Sequence, residues 1–492
     1  MKPMTRPHPF DRYRAFTDVE ALKAASEQPL RKSLRVNTLK CSVEHFRNWA
    51  AEQQWSCEPV PWCTEAFFID REDRSHPLGK DLLHLLGHTY MQEAASMLPP
   101  VLLDPQPGES ILDMSAAPGS KTTQMAAQMQ NTGVIVANDV QEKRLWTLKS
   151  ALYRSGVTNT IVTKKVGQWF GKHMTERFDR VLCDAPCTAQ GTARKDSDAL
   201  QYCGMENIEA MARLQYGLLE AAIHATKVGG RIVYSTCTLT PEENELLVRK
   251  ILNTYFDHLE IIDPMTLNFS LWEGLKNHIH DSDILQNQIL NSSNSPENRG
   301  KNDALPFIRL WPHRIDVEGF FCAVLQKKAR TKDPMKMESV EFQEDFVPKS
   351  RVKEAKNYLL ERFGSDFLRE DENLFARGEQ LLVLNKTASS FPLPVEDYAL
   401  GLPFARFYAS GNLRVDHEIA TLRGISATKN VHILSNDDLT RVLRGEDLAC
   451  DPILSGDIIL RWRDIAVGMG LATDGKLKNR LPRWLVQYQT GS

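Results

Sequence analysis

From Glu109 onward, short apolar runs alternate with stretches of helical period. "SILDMSA" predicts a strand, followed by a turn at Pro118-Gly119 and a helix over "KTTQMAAQM". "GVIVAND" (Gly133 to Asp139) predicts a second strand, and "QEKRLWTLKSALYRSG" an amphipathic helix that ends on Gly156. "TIVTKK" and "FDRVLCDAP" read as further strands, and a long helix follows from about Met205 to Thr226, ending at "KVGG". The strand "RIVYSTC" precedes "PEENELLVRKILNTY", which reads as a helix opening with Pro241 and three early acids. "FIRLWPHRIDVEGFFCAVLQK" predicts a closing hairpin. Strands separated by helices of this length imply an α/β fold with a largely parallel sheet.

The flanks differ from this centre. The first hundred residues mix short helical and strand-like pieces, an α+β unit over 1–105. Within it "PLRKSLRVNTLKCS" (Pro29 to Ser42) sets four basic residues around an alternating pattern, as in a solvated edge strand. "DSDILQNQILNSSNSPENRGKND" (Asp281 to Asp303) is polar and rich in Asn and Ser, as in a surface insertion. The α/β unit is assigned to 106–328. The charged "KKARTKDPMKMES" (Lys327 to Ser339) then reads as a linker to a separate C-terminal unit over 341–492. That unit ends in "GDIILRWRDIAVGMGLATDGKLKNRLPRW", a small β-barrel piece with a basic rim.

Composition narrows the function classes. A chain of 492 residues with 42% hydrophobic positions has room for two to four domains with sizeable cores. The net charge of −3 lacks a whole-chain basic excess, so any polyanion site must be a local patch. No run of about 18 apolar residues predicts a membrane span. "MKPMTRPHPFDRYRAF" lacks the apolar segment of a signal peptide. The nine cysteines include no CxxC pair, so no metal site is expected, and free thiols fit the reducing cytoplasm.

Candidate chemistry lies at the strand ends. "LDMSAAPGSKT" (Leu112 to Thr122) is a strand, a turn of small residues and a helix start. Small residues let a ligand approach the backbone, and a helix N-terminus favours negative charge. The string is neither GxxxxGK[ST] nor GxGxxG, which disfavours a P-loop and a dinucleotide site. Asp139 ends the next strand, where an acid bonds the ribose hydroxyls of adenosine ligands; it would otherwise simply cap the following helix. The combination points to S-adenosylmethionine. The expected contacts are Ser115, Ala116, Ala117, Pro118, Gly119, Ser120 and Lys121 in the turn, with Asp139, Arg144 and Asp184.

"AAPGSKT", "DAPC" and "STCTL", in this order and spacing, resemble the NOL1/NOP2/Sun family of RNA cytosine-C5 methyltransferases. The likeness continues in "RKSLRVNTLK", "PVPWC", "MQEAASMLP", "RKDSDAL" and "EGFF", covering about residues 29–327, and more weakly in "LKNRLPR". It implies a Rossmann-like S-adenosylmethionine-dependent core, an N-terminal RNA-binding domain and a PUA-like C-terminal RNA-binding region. The implied reaction forms 5-methylcytosine in RNA. Cytosine C5 is a poor nucleophile until a thiolate adds to C6. Chemistry alone does not choose between Cys187 and Cys237. The Pro-Cys pair of DNA cytosine methyltransferases would nominate Cys187, whereas the family resembled here implies Cys237 as nucleophile and Cys187 as the residue that assists release. Asp184 then faces the N3/N4 edge of the base, and Lys121 lines the site. Cys183, inside "VLCD", reads as a small buried hydrophobe.

Two positions depart from the family. Ala189 replaces a glycine of the "DAPC" loop, and Val166 stands where the family carries an acid near the adenine amino group. A target base must leave its stack to be methylated, and the RNA backbone needs basic clusters. Those nominated are Arg31, Lys32 and Arg35, and Lys476, Lys478, Arg480 and Arg483 near Trp484. The implied substrate is 16S rRNA or the 30S subunit, met by a monomer. A tRNA substrate is one alternative, and an RNA-binding assembly factor with a lapsed core is another.

Overall fold

The computed structural model describes residues 8–75, 77–267, 305–333, 349–408 and 413–490. The expected insertion Asp281–Asp303 lies outside them. An N-terminal sheet contains β1 (Ser33–Val36), β2 (Ser56–Val60), β3 (Cys63–Asp70) and β4 (Thr89–Met91), in the order β2-β3-β1-β4. The central sheet is built on β5 (Ser110–Asp113), β6 (Val134–Asn138), β7 (Thr160–Thr163), β8 (Phe178–Asp184) and β9 (Thr226–Thr236), which pair in parallel. Strands β10 (Leu259–Ile262), β11 (Ile308–Leu310) and β12 (Phe320–Lys327) complete it, with β12 antiparallel to β9, β10 and β11. The order β10-β12-β9-β8-β5-β6-β7 reverses direction at β5 and β8, so the crevice beyond their carboxyl ends is where an open α/β sheet binds ligands. Apolar residues on the two faces of these strands, such as Ile111 and Leu112, enter separate clusters, one on each side of the sheet.

The sequence pattern located β5, β6, β7, β8 and β9, the β11–β12 hairpin, and the helices Ser120–Gln128, Glu142–Ser155 and Met205–Ala225. Gly156 closes the second of these helices at φ 74°, a left-handed cap that glycine adopts without strain. The helix after β9 differs from expectation: it runs Glu245–Thr254, and Pro241–Asn244 forms a preceding turn in which Asn244 and Leu246 N–H donate to the Pro241 carbonyl. Of its three expected early acids, Glu245 stays in the first helical turn, whereas Glu242 and Glu243 lie in the turn before it.

Two further expectations need correction. The stretch read as a linker begins inside β12, where Lys327 is fully buried and donates from Nζ to the Thr226 carbonyl at 2.8 Å. Nor is the C-terminal region separate. Its two-residue strand Ala399–Leu400 pairs with Val162 and Ile161 of β7, extending the central sheet. Beyond it, Val431–Asn479 contributes a five-stranded sheet whose apolar face shares one core with the N-terminal unit: Val36, Phe46 and Trp49 cluster with Ile458, Leu460 and Trp462. The Trp49 and Trp462 rings meet edge to face at 5.7 Å.

Strand β1 is not a solvated edge. It lies between β3 and β4, and all four of its residues are buried. Arg35, nominated for RNA, is only 2% exposed; its Nε donates to Gln92 Oε1 at 3.0 Å and its Nη2 to Thr123 Oγ1 at 3.0 Å. It ties the N-terminal sheet to the helix Ser120–Gln128. Arg35→Met removes these donors from buried acceptors, so a stability loss of about 1–3 kcal/mol is expected, read as a lower urea midpoint. RNA affinity measured well below that midpoint should hold, where a surface phosphate contact would predict the reverse.

Candidate active site

The turn after β5 carries the first part of the site. Gly119 has φ 109°, and a Cβ there would meet Ala151 Cβ at 3.0 Å, so glycine is required for the helix it opens to pack against Glu142–Ser155. That helix has no side-chain cap, so its first N–H groups are left without a side-chain acceptor at Gly119. Lys121 lies one residue inside it. Its Nζ donates to Asp184 Oδ2 at 2.8 Å, and Ser235 Oγ donates to Asp184 Oδ1 at 2.7 Å. Burial alone would lower the Lys121 ammonium, but the charge of Asp184 and its hydrogen bond outweigh it, so Lys121 is held above its ordinary range. Thus the end of β5, the end of β8 and the end of β9 are joined by one polar chain.

Asp139 follows β6 and is 2% exposed. Its Oδ1 accepts from Gln141 N–H at 2.9 Å, the helix-entry contact weighed against a ligand role. Among the described residues its Oδ2 accepts no hydrogen bond, and it stands 3.2 Å from Arg144 Nη1. Arg144 also reaches the Ala117 carbonyl, so it links Asp139 to the small-residue turn. A buried carboxylate oxygen free to accept, beside a turn of small residues, fits the ribose diol of S-adenosylmethionine. Asp113 was not singled out in the sequence, yet it lies buried at the end of β5, accepting from Thr122 Oγ1 at 2.7 Å. Burial pushes its carboxyl up to about 7, which the hydrogen bond from Thr122 opposes and the nearby charge of Asp184 reinforces.

The two cysteines converge. Asp184 ends β8 and Thr236 ends β9, neighbouring parallel strands, and the loops beyond them place Cys187 Sγ 3.3 Å from Cys237 Sγ. Both cysteines remain partly exposed, whereas Cys183 is 1% exposed within the core. The hydrogen bond to Cys237, then burial and the charges of Cys237 and Glu243, push the Cys187 thiol well up. Gly191 N–H donates to the Cys237 carbonyl at 2.9 Å, and Gly319 N–H to the Gly191 carbonyl at 2.9 Å. A Cβ on Gly191 would lie 2.3 Å from the Gly319 oxygen, so only glycine permits this three-way backbone contact. The Ala189 departure is resolved by the backbone: at φ 57° alanine keeps the left-handed conformation suited to glycine, at a strain of about 1 kcal/mol. From the other side, buried Tyr13 donates to Gln190 and Arg12 pairs with Glu242 at 2.7 Å, so the N-terminal segment backs the cysteine loops.

Val166 follows β7 with its side chain 57% exposed, next to Gly167, where a Cβ would strike Leu218 Cδ2 at 2.4 Å. An aspartate there would stay solvated until it met the adenine amino group. One hydrogen bond contributes about 0.5–1.5 kcal/mol net, roughly a few-fold to tenfold in dissociation constant. Val166→Asp is therefore expected to tighten S-adenosylhomocysteine binding by that factor in calorimetric titration; weaker binding with the fold intact would show that Val166 itself supplies an adenine contact.

The basic nominees divide. Lys32, Lys476, Lys478 and Arg483 are exposed. Arg31 stacks on Phe68 with its Cζ 4.0 Å from the ring centre and pairs with Glu58, at a groove of about 470 Å³ also lined by Arg194 and Arg314. Arg480 is withdrawn into a 2.5 Å pair with Asp457 and is not a free phosphate ligand. Trp484 is half-exposed, with its ring 5.8 Å from that of His417.

Residues 11–94 match the N-terminal domain of 16S rRNA methyltransferase RsmF, 100–326 match 16S rRNA methyltransferase RsmB/F, and 429–487 match the methyltransferase RsmF PUA domain. Ribosomal RNA small subunit methyltransferase F of Aeromonas hydrophila is 35% identical over 96% of this chain and 94% of its own length. The chain belongs to the RsmF methyltransferase family. Its counterpart in Vibrio cholerae is 34% identical over 94% of this chain and 93% of its own. Among solved structures, a methyltransferase homologue from Pyrococcus horikoshii covers 66% of this chain and 100% of its own length at 33% identity and a TM-score of 0.52. NSun6 from Pyrococcus horikoshii, solved with SFG, shares the fold over 66% of this chain and 98% of its own, at 21% identity and a TM-score of 0.53. As an RsmF-family protein the chain is an S-adenosylmethionine-dependent methyltransferase with a Rossmann-like core and a C-terminal PUA domain.

Proposed function

We propose that this methyltransferase forms 5-methylcytosine in 16S rRNA through a covalent adduct between Cys237 and C6 of the target base. The observation that carries the reading is the sulfur pair, Cys187 and Cys237 at 3.3 Å, beside the Lys121–Asp184 pair at 2.8 Å. Activation of C5 calls for a thiolate at C6 and a polar partner for the N3/N4 edge, and both stand at one crevice mouth. Bound S-adenosylmethionine supplies the electrophilic methyl group; Asp139 holds its ribose and the Ser115–Ser120 turn receives the rest of it. The Cys237 sulfur adds as a thiolate to C6, C5 takes the methyl group, the C5 proton passes to water, and the C5–H electron pair restores the C5–C6 double bond as the C6–S bond breaks and Cys237 departs as a thiolate. Lys121 holds the Asp184 carboxylate in place through their 2.8 Å pair. Cys187 donates its S–H toward the Cys237 sulfur. The exposed Lys32, Lys476, Lys478 and Arg483 supply phosphate contacts.

The substrate follows from the relatives' names, which specify 16S rRNA and the small subunit. Bisulfite mapping of total RNA from cells with and without the protein tests it. Loss of one 5-methylcytosine from 16S rRNA is the expected result. Loss from a tRNA would replace the substrate, and an unchanged map with no methyl transfer to any RNA would leave an assembly factor with a lapsed core.

A further inference from the structure

Glu243 has no part in the steps above, yet it is fully buried and bonded to the residue that follows Cys187. The hydrogen bonds to its carboxylate among the described residues all come from neutral donors. Oε2 accepts from Thr188 N–H at 3.0 Å and from Gln215 Nε2 at 2.7 Å. Oε1 accepts from Thr240 Oγ1 at 2.6 Å and from Thr188 Oγ1. The Glu243 backbone is itself fixed, because Tyr234 O–H donates to its carbonyl at 2.7 Å. A buried carboxylate is costly and persists only when such donors satisfy it.

What those donors join is informative. Thr188 adjoins Cys187, and the same Gln215 amide that reaches Glu243 also donates to the Pro186 carbonyl at 2.8 Å. Residues 186 and 188, on both sides of Cys187, therefore hang on this one carboxylate. Thr240 belongs to the loop that carries Cys237. One side chain thus bolts the two cysteine loops together, and its charge lies near Cys187. The titratable groups facing the Cys187 sulfur are Cys237 beyond the end of β9, Tyr234 within β9 and Glu243 in the turn after it.

We propose that Glu243 is a positioning residue that sets the spacing of Cys187 and Cys237 and places its negative charge on the Cys187 side of the pair. This rests on the cysteine chemistry proposed above. Glu243 meets no reacting atom; it acts through the two loops. Donors of the hydroxyl type explain why its charge can be tested without unfolding the site. In Glu243→Gln the amide oxygen takes the place of Oε2, still accepting from Thr188 N–H and Gln215. The new NH2 takes the place of Oε1, where the hydroxyls of Thr188 and Thr240 rotate to accept.

The test uses the full chain and two readouts. In the Cys237→Ala background, iodoacetamide labelling of Cys187 is followed by mass spectrometry from about pH 6 to about pH 10. Adding Glu243→Gln should move the labelling profile to lower pH, with about tenfold faster labelling near neutrality. This reading needs neither RNA nor S-adenosylmethionine, so it stands apart from the substrate proposal. With Cys237 intact, Glu243→Gln should lower kcat for methyl transfer by at least about tenfold and leave both KM values within about twofold. A folded Glu243→Gln protein with an unmoved Cys187 profile would overturn the charge role. Should that variant not fold, Thr188→Val removes one hydroxyl donor and no charge: lower kcat with an unmoved profile supports the spacing role, and unaltered kcat overturns it.

Discussion

Cys237→Ala is expected to abolish methyl transfer to RNA, by on the order of 10³-fold or more, while the protein stays folded. The size follows from the chemistry: without a sulfur on C6, the C5 position has no enamine character to offer the methyl group. The choice of Cys237 over Cys187 comes from the family resemblance, and the surroundings of Cys187 support it. Cys187 is a hydrogen-bonded, partly buried thiol with the Glu243 carboxylate nearby, and each of these disfavours its ionisation. At 3.3 Å its S–H is in reach of the Cys237 sulfur as a donor. The fold should tolerate the change because Cys237 lies at the partly exposed end of β9, and its loop is held by backbone contacts from Gly191 and not by the thiol. Transfer of labelled methyl from S-adenosylmethionine, with a melting curve on the same sample, checks both halves. Substantial activity in Cys237→Ala together with a dead Cys187→Ala would exchange the two roles.

The sequence made the strand ends legible and left their supports hidden, for a physical reason. Asp184, Cys187 and Cys237 could be placed because strand direction and register are local: an apolar run fixes where a parallel strand ends. Arg35 could not, since alternating basic residues look the same on an edge strand as on a central one. Its partners Gln92 and Thr123 are 57 and 88 residues away. Glu243 was misread because an acid after a proline resembles a helix first turn, and only the fold brings Thr188 and Gln215 to it. The two threonines at 238 and 240, polar residues in an otherwise buried turn, were the available signal. The C-terminal region looked separate because a two-residue strand, Ala399–Leu400, leaves no pattern of its own.

Cys187→Ala is expected to convert the enzyme into a trap for its own product. In this variant Cys237 still adds to C6 and the methyl group still reaches C5, since neither event needs the second sulfur. What remains is loss of the C5 proton and departure of the Cys237 sulfur from C6, as the electron pair closes the C5–C6 double bond. A departing thiolate is stabilised by a donor at its own distance, and the Cys187 S–H lies 3.3 Å from that sulfur in the free enzyme. The hydroxyls of Thr188 and Thr238, which flank the two cysteines, are buried and engaged with each other at 2.9 Å. Proton donation by a positioned group contributes about 10²–10⁴-fold, so the first turnover should persist while steady-state turnover falls by at least on the order of 100-fold. On a denaturing gel the variant should give a slow-migrating protein–RNA band that requires S-adenosylmethionine and disappears in the Cys187→Ala, Cys237→Ala double variant. Normal turnover with no such band would remove Cys187 from the mechanism, and a band that survives loss of Cys237 would move the covalent bond to another side chain.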